Sequence, residues 1–272
     1  MRIDLHTHTT ASDGELSPKE LLLRATDQGL THIAITDHDT VAAYSHLEVP
    51  EGLSVIPGIE FSSRWRKIGV HIVGLNIDLD QPALSQAIAQ QQQVRSERAQ
   101  TIAERLVKLG FEDPLPAVSI LAGGSNIGRP HFARHLVATG KVKTIREAFK
   151  KYLGAGKPGD VKQTWAPIED VVRWINDAGG VAVLAHPAHY RLTQSKLKEL
   201  VTDFADADGT AIEVVSGSQE PTVTRKLASL CNDFELHASV GSDFHRPDAR
   251  WAELGRFAAL PDTCEPVWNL WQ

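Results

Sequence analysis

Seven short apolar runs recur along this chain, and helical segments with recognisable starts and stops separate several of them. The runs are Ile3–Leu5, His32–Thr36, Leu53–Ile59, Val70–Leu75, Val181–Ala185, Ala211–Val215 and Leu236–Gly241. Such continuous apolarity is what strands buried on both faces require. Between the first two, Ser17-Pro18-Lys19-Glu20 makes a capping box with proline at the first helical position, and Gly29 stops the helix that follows. Pro167 to Gly179 and Ser195 to Ala207 repeat the pattern, each leading into another apolar run. Strand, helix, strand in parallel is the simplest arrangement, and an α/β fold built as a distorted (β/α)7 barrel fits the count.

Residues 81–159 break that rhythm. A long polar helix ending near Gly110 precedes the Pro/Gly-rich stretch DPLPAVSILAGGSNIGRP, and a second helical group runs from His131 to Leu153. No strand is expected there, so residues 1–80 and 160–272 are assigned to the barrel and 81–159 to a small helical insertion covering one of its faces. The glutamines Gln90 to Gln93 are expected on an exposed helix face.

At 272 residues and 42% hydrophobic composition the chain can bury a sizeable core. No apolar stretch approaches the roughly 18 residues of a membrane span, and MRIDLH lacks the apolar segment of a signal peptide, so no membrane association and a cytoplasmic location are expected. Cys231 and Cys264 lie outside any C-x-x-C arrangement, which argues against a disulfide framework and a cysteine zinc site. The net charge of −6 offers no general attraction for polyanions, so any binding of phosphate or nucleic acid must come from a local site.

Potential metal ligands recur after successive runs: His6 and His8, Asp37 and His38, Glu60, His71 within the fourth, His186, then Asp243 and His245. Parallel barrel strands open their C-terminal ends onto one face. Residues i and i+2 of an extended strand point the same way, so His6 with His8, and Asp243 with His245, can reach one ion together. Imidazole with carboxylate oxygen suits zinc, manganese or iron.

These residues sit in D-L-H-T-H-T-x-x-S-D-G at Asp4 to Gly14, I-T-D-H-D at Ile35 to Asp39, P-G-I-E at Pro57 to Glu60, H-I-V-G at His71 to Gly74, A-H-P at Ala185 to Pro187 and G-S-D-F-H at Gly241 to His245. The set resembles the PHP (polymerase and histidinol phosphatase) family over the chain apart from the insertion. The resemblance implies three divalent ions, manganese first and iron or zinc as alternatives, held by His6, His8, Asp13, His38, Glu60, His71, His186, Asp243 and His245. Within that pattern Glu60 would bridge two ions, and Asp37 and Asp39 would orient ligands or cap the following helix. Three divalent ions against three carboxylates leave a net positive site that favours a phosphate dianion. A hydroxide bridging the ions would attack phosphorus in line. His189, three residues beyond His186, is one candidate to protonate the leaving oxygen.

The insertion carries Arg129, His131 and Arg134, then Lys157 in a Gly/Pro turn. Arginine offers phosphate a bidentate fork and lysine a mobile point charge. With A-S-D-G at Ala11 to Gly14, R-x-H-F-A-R at Arg129 to Arg134, K-K-Y-L at Lys150 to Leu153 and G-K-x-G at Gly156 to Gly159, nearly the whole chain is similar to the PHP subgroup of 3′,5′-nucleoside bisphosphate phosphatases and RNase AM-type exoribonucleases. That implies removal of the 3′-phosphate of pAp-like nucleotides, and 5′-to-3′ degradation of short 5′-phosphorylated RNA. The four basic residues named above would then grip the 5′-phosphate. A histidinol phosphate phosphatase, a C–N hydrolase of similar barrel geometry and a non-catalytic metal-dependent nucleotide-binding module are the competing readings. Trp251, Trp268 and Trp271 are expected to close the core rather than stack bases.

Overall fold

The computed structural model describes residues 2–161, 165–247, 249 and 252–271. Seven strands, β1 (Ile3–Asp4), β2 (His32–Ile35), β3 (Ser54–Trp65), β4 (Ile68–Leu75), β5 (Val181–Leu184), β6 (Ala211–Ser216) and β7 (His237–Gly241), lie side by side in chain order. The Leu5 N–H donates to the Val240 carbonyl at 3.1 Å and the Asp243 N–H to the His6 carbonyl at 2.9 Å, so the sheet closes on itself between β1 and β7. Gly241 sits at this seam: a Cβ there would stand 2.3 Å from His6 Cβ, so only glycine lets the strands approach.

The expectation of an all-parallel barrel needs correcting at β4, which runs antiparallel to both β3 and β5. β3 continues past Ile59 to Trp65 and turns directly through Arg66 and Lys67 into β4, with Arg66 in the left-handed region at φ 55°. A parallel return needs a crossover of a dozen residues or more, which this connection cannot supply. The remaining neighbours, β1 with β2, β2 with β3, β5 with β6 and β6 with β7, are parallel.

Helix α1 (Pro18–Asp27) carries the expected capping box: Glu20 N–H donates to Ser17 Oγ while the Glu20 carboxylate accepts from the Ser17 N–H at 2.8 Å. Between β4 and β5 the chain forms α2 (Pro82–Val107), α3 (Leu115–Ala122), α4 (Arg129–Ala138), α5 (Ile145–Ala148), a π-turn at Phe149–Leu153, and α6 (Ile168–Asp177); α7 (Gln194–Asp206) and α8 (Pro221–Asp233) follow β5 and β6. The barrel strands pack with α6, α7 and α8 in one core, while Ala99, Ile102, Leu106, Val118, Phe132, Leu136 and Leu153 build a separate one inside the helical insertion.

Helix α2 joins the two cores through one buried stripe: Leu84, Ala87, Gln91, Arg95, Ala99, Ile102, Ala103 and Leu106. Its apolar ends belong to different cores, and its two polar members lie between them, over the open end of the barrel. Of the glutamines expected on an exposed face, Gln90, Gln92 and Gln93 are exposed and Gln91 is fully buried. Trp268 and Trp271 pack against the main core; Trp251 lies outside the described residues.

Candidate metal centre

The strand ends converge on Glu60, which is wholly buried. His6 Nε2 and His186 Nε2 approach its Oε1 at 3.3 and 3.0 Å, and His71 Nδ1 does so at 2.9 Å. Its Oε2 faces His38 Nδ1 at 2.7 Å and His8 Nε2 at 3.4 Å. The closing seam of the barrel brings up the rest: Asp243 Oδ1 stands 3.3 Å from His8 Nε2 and 3.6 Å from His6 Nε2, and Asp13 Oδ1 3.3 Å from His245 Nε2. His71 reaches the ring from the reversed strand, opposite Ser62 in the β3–β4 ladder, rather than from a C-terminal strand end.

Four overlapping groups of side chains have ligand atoms within 4.8 Å of one another: His8, Asp13, His38 and His245; His6, Glu60 and His186; His6, His8 and Asp243; His38, Glu60 and His71. Together they contain all nine residues of the expected ligand set. Buried polar atoms are normally hydrogen-bonded. Here His6 Nε2, both ring nitrogens of His8, Asp13 Oδ1, His38 Nδ1, Glu60 Oε2 and His186 Nδ1 are buried without such a bond. Nitrogen and carboxylate lone pairs crowded in this way fit divalent cations, and the donor set carries no thiolate.

Burial and mutual charge compete across the cluster. Burial alone would raise the Glu60 carboxyl, but His71, His38 and His6 hold it well below the ordinary range. Burial opposes a charge on His245, yet Asp13 and Asp243 push its pKa up to about 10. His8 goes the other way, to about 3, because burial is joined by His245 and His38. Ionised carboxylates are what a metal requires, and binding an ion would displace the proton that Asp13 and Asp243 hold on His245.

Asp37 and Asp39 cap no helix. Asp37 accepts from Thr9 N–H at 2.7 Å, Thr9 Oγ1 at 2.6 Å and Ser12 Oγ at 2.6 Å, fixing the loop that ends in Asp13. Asp39 accepts from Ser62 N–H at 2.7 Å, Gln91 Nε2 at 3.1 Å and Arg95 Nε at 2.6 Å, tying α2 to the barrel. Sequence reasoning missed Glu213, whose carboxylate lies 3.3 Å from His6 Nδ1 and accepts the His186 N–H at 2.6 Å, holding His186 at φ 28°. It also missed Asp4, which accepts from the Ser242 and Gly255 N–H groups at 2.9 Å each. A lone acid inside the apolar run AIEVV was the available signal for Glu213.

Beside the ring, a cleft of about 150 Å³ is lined by Asp13, His38 and His71 on one side and by Arg95, Arg98, Arg129, Phe149 and Trp165 on the other. Arg95 and Arg98 lie over the Trp165 ring at 5.3 and 5.5 Å, and Arg129 over Phe149 at 5.9 Å. Burial, then Arg129 and Arg95, push the Arg98 guanidinium down to about 9, the mark of cations short of counter-charge. The four basic residues expected to share a phosphate pocket separate here. Arg129 lines the cleft; Arg134 Nη2 donates to the Asp13 carbonyl at 2.5 Å; His131 Nδ1 accepts the Gly128 N–H at 3.0 Å and starts α4; Lys157 is exposed in the turn after the π-helix. Arg98 joins the pocket unforeseen. His189 stacks on His186 with ring centroids 5.1 Å apart and lines a different cavity.

A closing barrel with a histidine and carboxylate ring at its mouth defines a metal-site hydrolase architecture of the PHP type. The chain belongs to the PHP domain family, which it matches over residues 4–160. It is 46% identical over 99% of its length, and 93% of the relative's, to the 5′-3′ exoribonuclease Rnm of Escherichia coli. With the 3′,5′-nucleoside bisphosphate phosphatase of Chromobacterium violaceum it shares 40% identity over 98% of this chain and 95% of the other. A solved structure from Chromobacterium violaceum, described as an amidohydrolase with bound sulfate and no metal, superposes with a TM-score of 0.89 at 39% identity, covering 99% of this chain and 95% of that one. No helix among the described residues is long and apolar enough to cross a membrane.

Proposed function

We propose that the protein is a metal-dependent phosphoesterase that removes the 3′-phosphate of 3′,5′-nucleoside bisphosphates and shortens 5′-phosphorylated RNA from its 5′ end. The observation that carries this reading is the adjacency of two sites: the nine-residue ring, and an arginine cleft that shares Asp13, His38 and His71 with it. A substrate with two phosphates a ribose apart matches two anion sites a side chain apart.

His6, His8, Asp13, His38, Glu60, His71, His186, Asp243 and His245 hold three divalent ions, with manganese the preferred metal. Bound there, the ions supply Lewis acidity toward the phosphoryl oxygens and a nucleophile at neutral pH. Glu60, touched by five imidazoles, sets the centre of the ring. Arg98 and Arg129 hold the 5′-phosphate, Trp165 and Phe149 seat their guanidiniums, and the ester 3′-oxygen then faces the cleft. His189 stacks on His186 and lines the other cavity beside the ring, together with Asp243 and His245.

Phosphate release from pAp by the manganese-loaded protein, run beside AMP and histidinol phosphate, tests the reading, with His8→Ala as the control for contaminating phosphatase. Release from pAp alone, abolished in the variant, is the expected result. Release from histidinol phosphate would remove the arginine cleft from the argument, and turnover of amide substrates alone would replace the reaction by C–N hydrolysis.

A further inference from the structure

A second cavity, of about 240 Å³, adjoins the ring and has no task in the phosphatase reaction. Strand order places it opposite the arginine cleft. The cleft lies over the side of β2 to β4, through His38, Ser62 and His71, and meets the other side only where Asp13 touches His245, whereas the second cavity is lined by Asp243 and His245 after β7 and by Ser216, Gly217 and Ser218 at the end of β6. No lining residue is common to the two. β6 contributes none of the nine ring residues, yet it delivers Ser216 to this wall.

One hydroxyl of the wall, Ser216 Oγ, is buried with no hydrogen-bond partner, in a residue only 5% exposed. An unsatisfied buried hydroxyl calls for a ligand or a water. Because a hydroxyl both donates and accepts, ribose hydroxyls and phosphate oxygens suit it equally. Arg246 lines the same space and adds a cation for a further phosphate.

We propose that this cavity receives the nucleotide on the 3′ side of the scissile phosphate. The inference rests on the phosphoesterase reading above and adds direction to it. In pAp the reacting phosphorus carries no further substituent; in RNA it is also esterified to O5′ of the next nucleotide. Water attacks phosphorus, the bond to the 3′-oxygen breaks, that oxygen takes a proton, and the phosphate stays on O5′ of the next nucleotide. The products are a nucleoside 5′-monophosphate and an RNA one nucleotide shorter that again begins with a phosphate. With the leaving nucleotide in the arginine cleft, the remaining chain must run out on the opposite side, where Ser216 and Ser218 stand.

The test compares pAp with the 5′-phosphorylated diadenylate pApA in the metal-loaded wild type, in Ser216→Ala and in Ser218→Trp. Ser218→Trp should keep kcat/KM for pAp within twofold and lose at least tenfold on pApA; Ser216→Ala should lose severalfold on pApA only. A dinucleotide with 4-thiouridine in the second position should photo-crosslink to residues 216–219 in EDTA. Crosslinks at Arg98 or Arg129, equal losses on both substrates in both variants, or a wild type that cleaves pAp but not pApA would each overturn the assignment. A wild type inactive on both substrates would instead remove the phosphoesterase reading, and this inference with it.

Discussion

Arg129 and Arg134 share helix α4, but only the first points its charge into the cleft; the second holds the backbone of a ring residue through the Asp13 carbonyl. Their variants should therefore separate kinetically. Arg98→Ala or Arg129→Ala should raise KM for pAp by about tenfold or more with kcat little changed, as loss of a charged hydrogen bond worth about 1.5–3 kcal/mol would do. Arg134→Ala should lower kcat on every substrate, because it loosens Asp13; a KM effect confined to 5′-phosphorylated substrates would contradict this. Glu213 acts on the ring from behind. By accepting from His6 Nδ1 it keeps Nε2 free to ligate, and by holding the His186 N–H it fixes a strained backbone. Glu213→Gln should weaken metal binding about 10–100-fold, read as ions retained per chain after dialysis, without unfolding the protein.

At the scale of elements, α2 decides how the insertion meets the barrel. An apolar stripe along its full length would have bound it anywhere on a greasy surface. The Gln91 and Arg95 interruption admits one register, in which Arg95 pairs with Asp39 while both are almost wholly buried. Removing one partner of such a pair leaves a buried charge uncompensated, so Arg95→Leu should cost about 3–5 kcal/mol in urea denaturation of the metal-free protein. A change below 1 kcal/mol would show that Ser62 and Gln91 satisfy Asp39 unaided. The reversed strand β4 is the other element with consequences. Its hairpin with β3 sets His71 across from Ser62 and so turns a mid-strand residue toward the ring.

For the whole molecule, the ring gathers residues from both ends of the chain, from His6 to His245, and its ligand atoms are crowded and mutually charged. Filling it with divalent cations should stabilise the fold as a unit. A ligand at a hundred times its dissociation constant adds about 2.7 kcal/mol, which for a chain of this size shifts Tm by about 5 °C or more. Manganese should therefore raise Tm and EDTA lower it, by scanning calorimetry, and the shift should shrink in His8→Ala. Equal Tm values with and without metal would argue against a site that spans the barrel.

The sequence by itself determined the strands, the capped helix α1 and eight of the polar residues of the ring, because each is written locally; Asp13 entered only through the resemblance to the family. Apolar runs, a Ser-Pro-x-Glu start and H-x-H spacing need no distant partner to be read. Only the tertiary structure decided the direction of β4, the burial of Gln91 and Arg95, the separate places of Arg129, Arg134 and Lys157, and the part played by Arg98 and Glu213. Those depend on which surface a side chain meets after the barrel closes. A helix position four residues along is the same in sequence whether it faces solvent, a carboxylate or a phosphate site, and only the packing of the insertion against the barrel tells them apart.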